Sequence, residues 1–240
     1  MEKIKELQEI INKSKNIVFF GGAGVSTASG INDFRGKNGL YKQKKNLNPE
    51  YLLSIECFEK EPQKFYKFYK NNMNCMDKEP NTIHYYLTML EKEKKLKAII
   101  TQNIDGLHQK AGSKNVLEIH GTIHKNSCLK CKKEYDAKYV FDNNYNNYIP
   151  ICECGGIIKP DTVLFGEFLP KAYDKAKEYI QKADTLIVAG TSLVVEPASS
   201  LIKLFEGKDL IIINNTKTQY DGFATLVIND DLVEVFKKLK

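Results

Sequence analysis

The chain has 240 residues, and among its 36 basic side chains there is a single arginine, Arg35. Where lysine has taken almost every other basic position, one retained arginine points to a site needing a permanently charged, planar, bidentate donor. No apolar run approaches the roughly 18 residues that span a bilayer. The opening Met1-Glu2-Lys3-Ile4-Lys5-Glu6 is charged and has no apolar signal core. These absences speak against a membrane-spanning or secreted chain and set the expectation of a soluble, cytoplasmic protein. The dehydrogenase fingerprint Gly-x-Gly-x-x-Gly is also missing. There is no internal repeat and no coiled-coil pattern, so a monomer is expected. The net charge is +6, but the lysines are scattered, often beside Glu or Asn, and nucleic acid is not expected as the primary partner. Of the six cysteines, Cys57 and Cys75 lie in a helical region and read as packing thiols. A cytosolic setting argues against disulfides for the others.

What is present is an alternation of apolar strands and helices. Ile17-Val18-Phe19-Phe20 reads as a buried parallel strand. It runs into Gly21-Gly22-Ala23-Gly24-Val25-Ser26-Thr27, where glycines let the backbone approach a ligand closely. Ser26 and Thr27 are suited to N-cap a short helix whose N–H groups would face an anion. Further strands are expected at Ala98–Thr101, Val116–Ile119, Thr162–Phe165, Thr185–Ala189, Leu210–Ile213 and Thr225–Ile228. Helices are expected at 2–13, 170–182, 197–205 and 231–239. This order predicts an α/β fold with a doubly wound parallel sheet and right-handed crossovers. The aromatic run Phe65-Tyr66-Lys67-Phe68-Tyr69 reads as a small satellite core, and His84 as a buried structural histidine.

Two groups of residues carry chemistry. Gln102-Asn103-Ile104-Asp105 and His120-Gly121 follow strands, at the carboxyl ends where open α/β sheets bind ligands. Cys128-Leu129-Lys130-Cys131 and Cys152-Glu153-Cys154 are two thiol pairs spaced for closed tetrahedral zinc coordination of the structural kind. The second pair is one residue shorter than usual, and Gly155-Gly156 beside it gives the backbone freedom to adapt. His124 is a rival ligand, expected to be exposed.

In chain order, Gly22-Ala23-Gly24-Val25-Ser26, Gly30-Ile31-Asn32-Asp33-Phe34-Arg35, Thr101 to Asp105, His120-Gly121, the four cysteines, Pro160 to Glu167, Gly190-Thr191-Ser192-Leu193 and Asn214 resemble the sirtuin family of NAD-dependent protein deacylases. The likeness covers nearly the whole chain and is to the bacterial and archaeal catalytic cores. It implies a Rossmann-like NAD-binding domain (1–35, 77–121 and 160–240). It also implies a small domain made of a helical insertion (36–76) and a zinc-binding module (122–159), with acyl-lysine entering between the two domains. By the same resemblance, Ala23, Gly24, Thr27, Asp33, Phe34, Arg35, Gln102, Asn103, Ile104, Asp105 and His120 line the NAD and nicotinamide pockets. Thr191, Ser192 and Asn214 hold the adenosine half, with Asp231 and Leu232 near the adenine. Val163, Phe165 and Gly166 line the acyl-lysine tunnel and pair with the substrate backbone as an added strand. His120 is the general base for a ribose hydroxyl, a role suited to an imidazole of ordinary pKa about 6.5. Asn103 and Asp105 position the ribose and the nicotinamide amide, and Phe34 shields the reactive carbon. The implied partners are acetylated-lysine proteins. The implied products are deacetylated lysine, nicotinamide and O-acetyl-ADP-ribose, with zinc taking no part in the bond changes.

The chain departs from the family pattern at Asn32, where proline is usual, and at the shortened Cys152-Glu153-Cys154 pair. It also lacks the Tyr-x-x-Arg by which relatives of this kind select acidic acyl groups. Tyr69 is followed three residues on by Asn72, so no bidentate clamp for a succinyl group exists and uncharged acyl groups, acetyl first, are expected. The competing readings are an ADP-ribosyltransferase from NAD to protein and a catalytically silent NAD-binding module.

Overall fold

The computed structural model describes residues 2–34, 36, 39–40, 48–142 and 146–240. Arg35 lies outside the described residues, as do 37, 38 and 41–47. In chain order the strands are β1 (Ile17–Gly21), β2 (Leu96–Thr101), β3 (Val116–Glu118), β4 (Gly121–Cys128), β5 (Glu134–Asp136), β6 (Ile158–Thr162), β7 (Thr185–Ala189), β8 (Asp209–Ile213) and β9 (Leu226–Ile228). Six of them form one sheet in the order β3-β2-β1-β7-β8-β9, and every neighbouring pair is parallel. The chain leaves β1 toward one edge, returns, and then builds outward from β7 to the other. This is the doubly wound Rossmann-like arrangement, with its topological switch point between β1 and β7.

The central strands are apolar throughout because both faces are covered, and alternate residues serve opposite cores. Phe19, Ile99, Ile187 and Ile211 pack on one side with Leu7 and Ile11 of the helix Glu2–Lys13 and Leu87 of the helix Thr82–Lys92. Phe20, Ile100, Val188 and Ile212 pack on the other with Ala176 and Ile180 of the helix Lys171–Lys182. The expected helix at 197–205 is a 3-10 helix, Ala198–Leu204.

The strand expected at Thr162–Phe165 is a correction. The strand there is β6, which ends at Thr162 and pairs antiparallel with β4 in a separate three-stranded sheet, β5-β4-β6. Phe165 instead makes an isolated bridge to Ser54. An apolar four-residue run carries no information about which sheet will take it.

The small lobe joins this sheet to the helices Pro49–Leu52, Ile55–Lys60 and Pro62–Met73. Their shared core is the aromatic cluster. Phe58 meets Phe65 edge-on at 5.3 Å, Phe65 stacks on Tyr69 at 5.5 Å, and Tyr69 stacks on Phe141 at 5.5 Å. The Tyr66 hydroxyl donates to the carbonyl of Ile158 in β6. The aromatics therefore bind the helical insertion to the cysteine-bearing sheet, the role of a satellite core.

Candidate active site

The carboxyl ends of β1, β2 and β7 meet at the switch point. Gly22 N–H donates to the Ala189 carbonyl at 3.1 Å and Gly24 N–H to the Gly190 carbonyl at 2.8 Å. A Cβ on Gly24 would lie 2.7 Å from Gly190 Cα, and one on Gly22 would lie 2.7 Å from Thr191 Cβ. These glycines are needed because two backbone turns touch there, in addition to any approach of a ligand.

Ser26 stands at the expected N-cap position of the 3-10 helix Thr27–Ser29, but its side chain makes no cap bond. It is buried, and its hydroxyl donates to Asp105 Oδ2 at 2.7 Å. Asn103 Nδ2 donates to Ser26 Oγ at 3.0 Å and to the Gly22 carbonyl at 3.1 Å. Both of its amide protons are thus engaged, and Oδ1 is left to accept from a ligand. Asp105 Oδ1 accepts from Leu107 N–H at 2.9 Å. Burial pushes the Asp105 carboxyl up, and the Ser26 hydroxyl and Leu107 amide pull it back down. The site is therefore held by contacts between β1 and β2 before any ligand arrives. Ser26 belongs to it although its sequence position suggests a cap; a serine inside the glycine turn is the only signal that could have shown this.

His124 is the second residue whose role the sequence obscured. Its ring is turned away from the thiols: Nε2 donates to the Asp105 carbonyl at 2.8 Å. Beside it, Ile123 N–H donates to the Ile104 carbonyl at 3.0 Å. The start of β4 therefore braces the loop that carries Ile104 and Asp105.

His120 follows β3. Its Nδ1 lies 3.0 Å from the Gln102 carbonyl, and a carbonyl only accepts. Nδ1 therefore carries the proton, and Nε2 of the neutral ring keeps its lone pair. Burial lowers the imidazole's pKa from its ordinary value, and the Gln102 carbonyl partly restores it. The His120 carbonyl accepts from Val163 N–H at 2.8 Å, which seats Val163 beside it.

Phe165 N–H and C=O are already taken by the Leu53 carbonyl and the Ile55 amide, each at 3.0 Å. Phe165 thus has only its side chain to offer a substrate, because a strand cannot add where the backbone is already paired. Gly166 follows immediately. Asn72 donates to the Phe68 carbonyl at 2.6 Å.

Among the residues expected to hold the adenosine half, the Thr191 hydroxyl lies 3.3 Å from Gln102 Oε1 and accepts from Leu193 N–H. Ser192 lies next to Thr191 in this turn. Asn214 Nδ2 donates to the Thr216 carbonyl at 2.8 Å. Asp231 caps the helix Leu232–Phe236, accepting from Glu234 N–H at 3.1 Å, and the Leu232 side chain is buried in the core. Only the Leu232 backbone is left for an adenine. Ala23, Gly24 and Thr27 sit on the β1 turn. Asp33 Oδ1 accepts from Gly36 N–H at 2.9 Å, and Phe34 and Ile104 pack against the small-lobe core.

The amide, carboxylate, hydroxyl and imidazole groups gathered at these strand ends match the donors and acceptors of a ribose and a carboxamide. They stand where doubly wound sheets take dinucleotides, and NAD fits. Zinc fits the cysteine cluster. The Sγ atoms of Cys128, Cys131, Cys152 and Cys154 lie within 4.8 Å of one another, where tetrahedral Zn–S bonds of about 2.3 Å place sulfurs about 3.8 Å apart. Cys128 and Cys154 approach to 3.5 Å and Cys131 and Cys152 to 3.6 Å. A Cβ on Gly156 would come within 2.7 Å of Cys128 Sγ, so the shortened pair closes the cluster by means of this glycine. The Tyr135 hydroxyl donates to Cys152 Sγ at 3.0 Å.

The sequence model of the Sir2 family matches residues 22–197. This chain belongs to the Sir2 family. It is 51% identical over 241 residues to an NAD-dependent protein deacetylase of Clostridium acetobutylicum, covering 99% of this chain and 98% of that protein. It is 47% identical to one of Staphylococcus epidermidis, covering 98% and 96%. Among solved structures it is similar to a Sir2–p53 peptide–NAD+ complex, with a TM-score of 0.89, 38% identity, and coverage of 98% of this chain and 96% of that one. A Sir2 bound to acetylated peptide gives a TM-score of 0.87 at 37% identity, with the same coverage. For a Sir2-family chain, the switch point between β1 and β7 and the four-thiol cluster are the two centres to be explained.

Proposed function

We propose that this chain is an NAD-dependent protein-lysine deacetylase, converting acetyl-lysine protein and NAD to deacetylated lysine, nicotinamide and O-acetyl-ADP-ribose. The observation that carries the reading is His120: a half-buried imidazole at a strand's carboxyl end, its tautomer set by the Gln102 carbonyl. It stands in one site with the Ser26, Asn103 and Asp105 network. Bound NAD supplies the ribose carbon that nicotinamide leaves and the neighbouring hydroxyl that must lose a proton. His120 accepts that proton at Nε2. Asn103 Oδ1 and the Asp105 region hold the ribose and the carboxamide, and Phe34 with Ile104 excludes water. Ala23, Gly24, Thr27, Asp33, Arg35 and Gln102 complete the nicotinamide half. Thr191, Ser192, Asn214 and the backbone at Asp231 and Leu232 take the adenosine half. Val163, the Phe165 side chain and Gly166 receive the acyl-lysine.

In this reading zinc, held by Cys128, Cys131, Cys152 and Cys154, is structural. The NAD-binding domain comprises 1–35, 77–121 and 160–240, and the small domain 36–76 and 122–159, with β6 carrying the small sheet across that boundary to Thr162. The chain works as a cytoplasmic monomer, which size-exclusion chromatography tests as a single species of one chain's mass.

The deciding experiment is nicotinamide release from NAD with and without an acetyl-lysine peptide, for wild type and His120→Ala. Peptide-dependent release, with deacetylation reduced by about 10²–10⁴-fold in the variant, is expected. Release without peptide would point to an ADP-ribosyltransferase or an NAD hydrolase instead. No release would leave a silent binding module. A succinyl-peptide in the same assay should be cleaved more slowly than the acetyl-peptide, because position 72 carries no cation.

A further inference from the structure

We infer that this chain has a subsite for a basic residue flanking the acetyl-lysine of its substrate, built around Asp161 and Phe168. The inference rests on the reading that Val163 and Gly166 receive the acyl-lysine, and it deepens that reading. A cavity of about 570 Å³ opens beside these two residues. Lys159, Asp161 and Val163 bound it on one side, and Gly166, Glu167 and Phe168 on the other. Its size falls in the range of small-ligand sites, about 300–1,000 Å³. Lys159, Asp161 and Val163 are two residues apart along β6 and its extension, so they share a face.

The charges in this cavity do not cancel. Lys159 Nζ pairs with Glu167 Oε2 at 3.0 Å and donates to the Pro160 and Thr162 carbonyls at 3.1 and 3.2 Å. An ammonium has three donors, so Lys159 has none to spare for a substrate. Glu167 Oε2 is further held by Leu164 N–H at 2.8 Å, and the pair is well shielded, with side chains 15% and 24% exposed. Asp161 is different. It is exposed on β6, and its carboxylate has no hydrogen-bond or ion-pair partner among the described residues. One uncompensated negative charge therefore faces the space where a substrate chain would leave the acyl-lysine position.

Phe168 stands at the rim, fully exposed. An aromatic face beside a free carboxylate binds both parts of a lysine or arginine: the stem by apolar contact and the cation by the ring. An acidic residue at the same place would meet Asp161 as a like charge.

The test compares acetyl-lysine peptides carrying Arg, Ala or Glu at each position flanking the acetyl-lysine. Binding is read by fluorescence anisotropy and turnover by kcat/KM with NAD. At one flanking position the Arg peptide should exceed the Ala peptide by about fivefold, with Glu below Ala, and the preference should shrink at high salt. Asp161→Asn should bring the Arg-to-Ala ratio close to one. Asp161→Lys should invert the order and favour Glu. Phe168→Ala should reduce the ratio while keeping its sign. Equal binding and turnover of all three peptides, or a preference that survives Asp161→Asn, would overturn the subsite. Charge-selective binding without turnover would keep the subsite and overturn the deacetylase reading, so the two failures are distinguishable.

Discussion

The two polar centres of this molecule are built on opposite terms. At the switch point, Ser26, Asn103 and Asp105 satisfy one another, and Gly22, Leu107 and His124 supply further backbone and ring contacts. At the other end of β4, four thiols lie as close as 3.5 Å, with the Tyr135 hydroxyl donating to Cys152 Sγ and the Cys131 N–H to Cys128 Sγ. Thiols are weak donors and weak acceptors, and this gathering is one that could hold a zinc ion. One centre is complete in protein atoms; the other has the ligand set of a metal site. The physical cause is the surroundings. The switch point lies between strands buried on both faces, where an unpaired polar group costs heavily. The thiol end of the cysteine sheet rests on the small cluster of Cys128, Val140, Cys152 and Ile158, while the aromatic core reaches the sheet through Ile123 and Phe141; so small a cluster at the thiols is little apolar area to hold their shape.

The largest effect that would break this comparison is metal removal. Purified protein should contain about one zinc per chain, and chelation should abolish peptide turnover as the small lobe loosens. The stacked Tyr69–Phe141 contact should loosen with it. Metal-free protein with an intact small lobe and full activity would erase the difference between the two centres.

A smaller effect should follow from Ser26→Ala. Removing one partner of the buried Asp105 carboxylate should cost about 1–3 kcal/mol of stability. NAD-dependent turnover should fall because Asn103 also loses its anchor. Chemical denaturation together with kcat/KM measures both. A variant as stable and as active as wild type would mean that the network is not what holds the site.

The smallest effect sharpens the contrast with a third polar pair. His84 and His108 are buried with ring centroids 4.6 Å apart. His84 Nδ1 accepts from Asn81 N–H, while its Nε2 and both nitrogens of His108 have no partner among the described residues. Burial pushes His84 down to about 4 and His108 well below its ordinary value. Both rings are therefore neutral when folded, and the unfolded chain binds more protons below about pH 6.5. The stability present above that pH should be lost progressively as pH falls toward 4. A thermal midpoint that stays flat between pH 7 and 4.5 would contradict this.

Much of the site was legible in the sequence because its residues sit where a strand must end. Asn103, Asp105 and His120 follow apolar runs too short to continue, and in a parallel sheet such ends converge. The four cysteines were legible because thiol pairs at short spacing have few other uses in a reduced chain. What misled were residues with two plausible local roles. Ser26 has the composition of a cap yet bonds a carboxylate 79 positions away. His124 is exposed, as expected, but its bond to the Asp105 carbonyl has no signal in the local spacing. Thr162–Phe165 has the look of a central strand, but β6 ends at Thr162 in the small sheet.

The alternation of strands and helices, the pairing of the four cysteines and the position of His120 after a strand could be read from the sequence alone. These depend on local patterns of apolarity, turn residues and spacing, which a chain carries wherever it folds. Assembly of the sheets makes Gly24 necessary against Gly190 and leaves Asn103 one acceptor. It likewise decided that Phe165 has no free backbone, and that Lys159 is neutralised while Asp161 is not. Each of these is a matter of which donor meets which acceptor across distant segments, and such pairings exist only once the sheets are assembled.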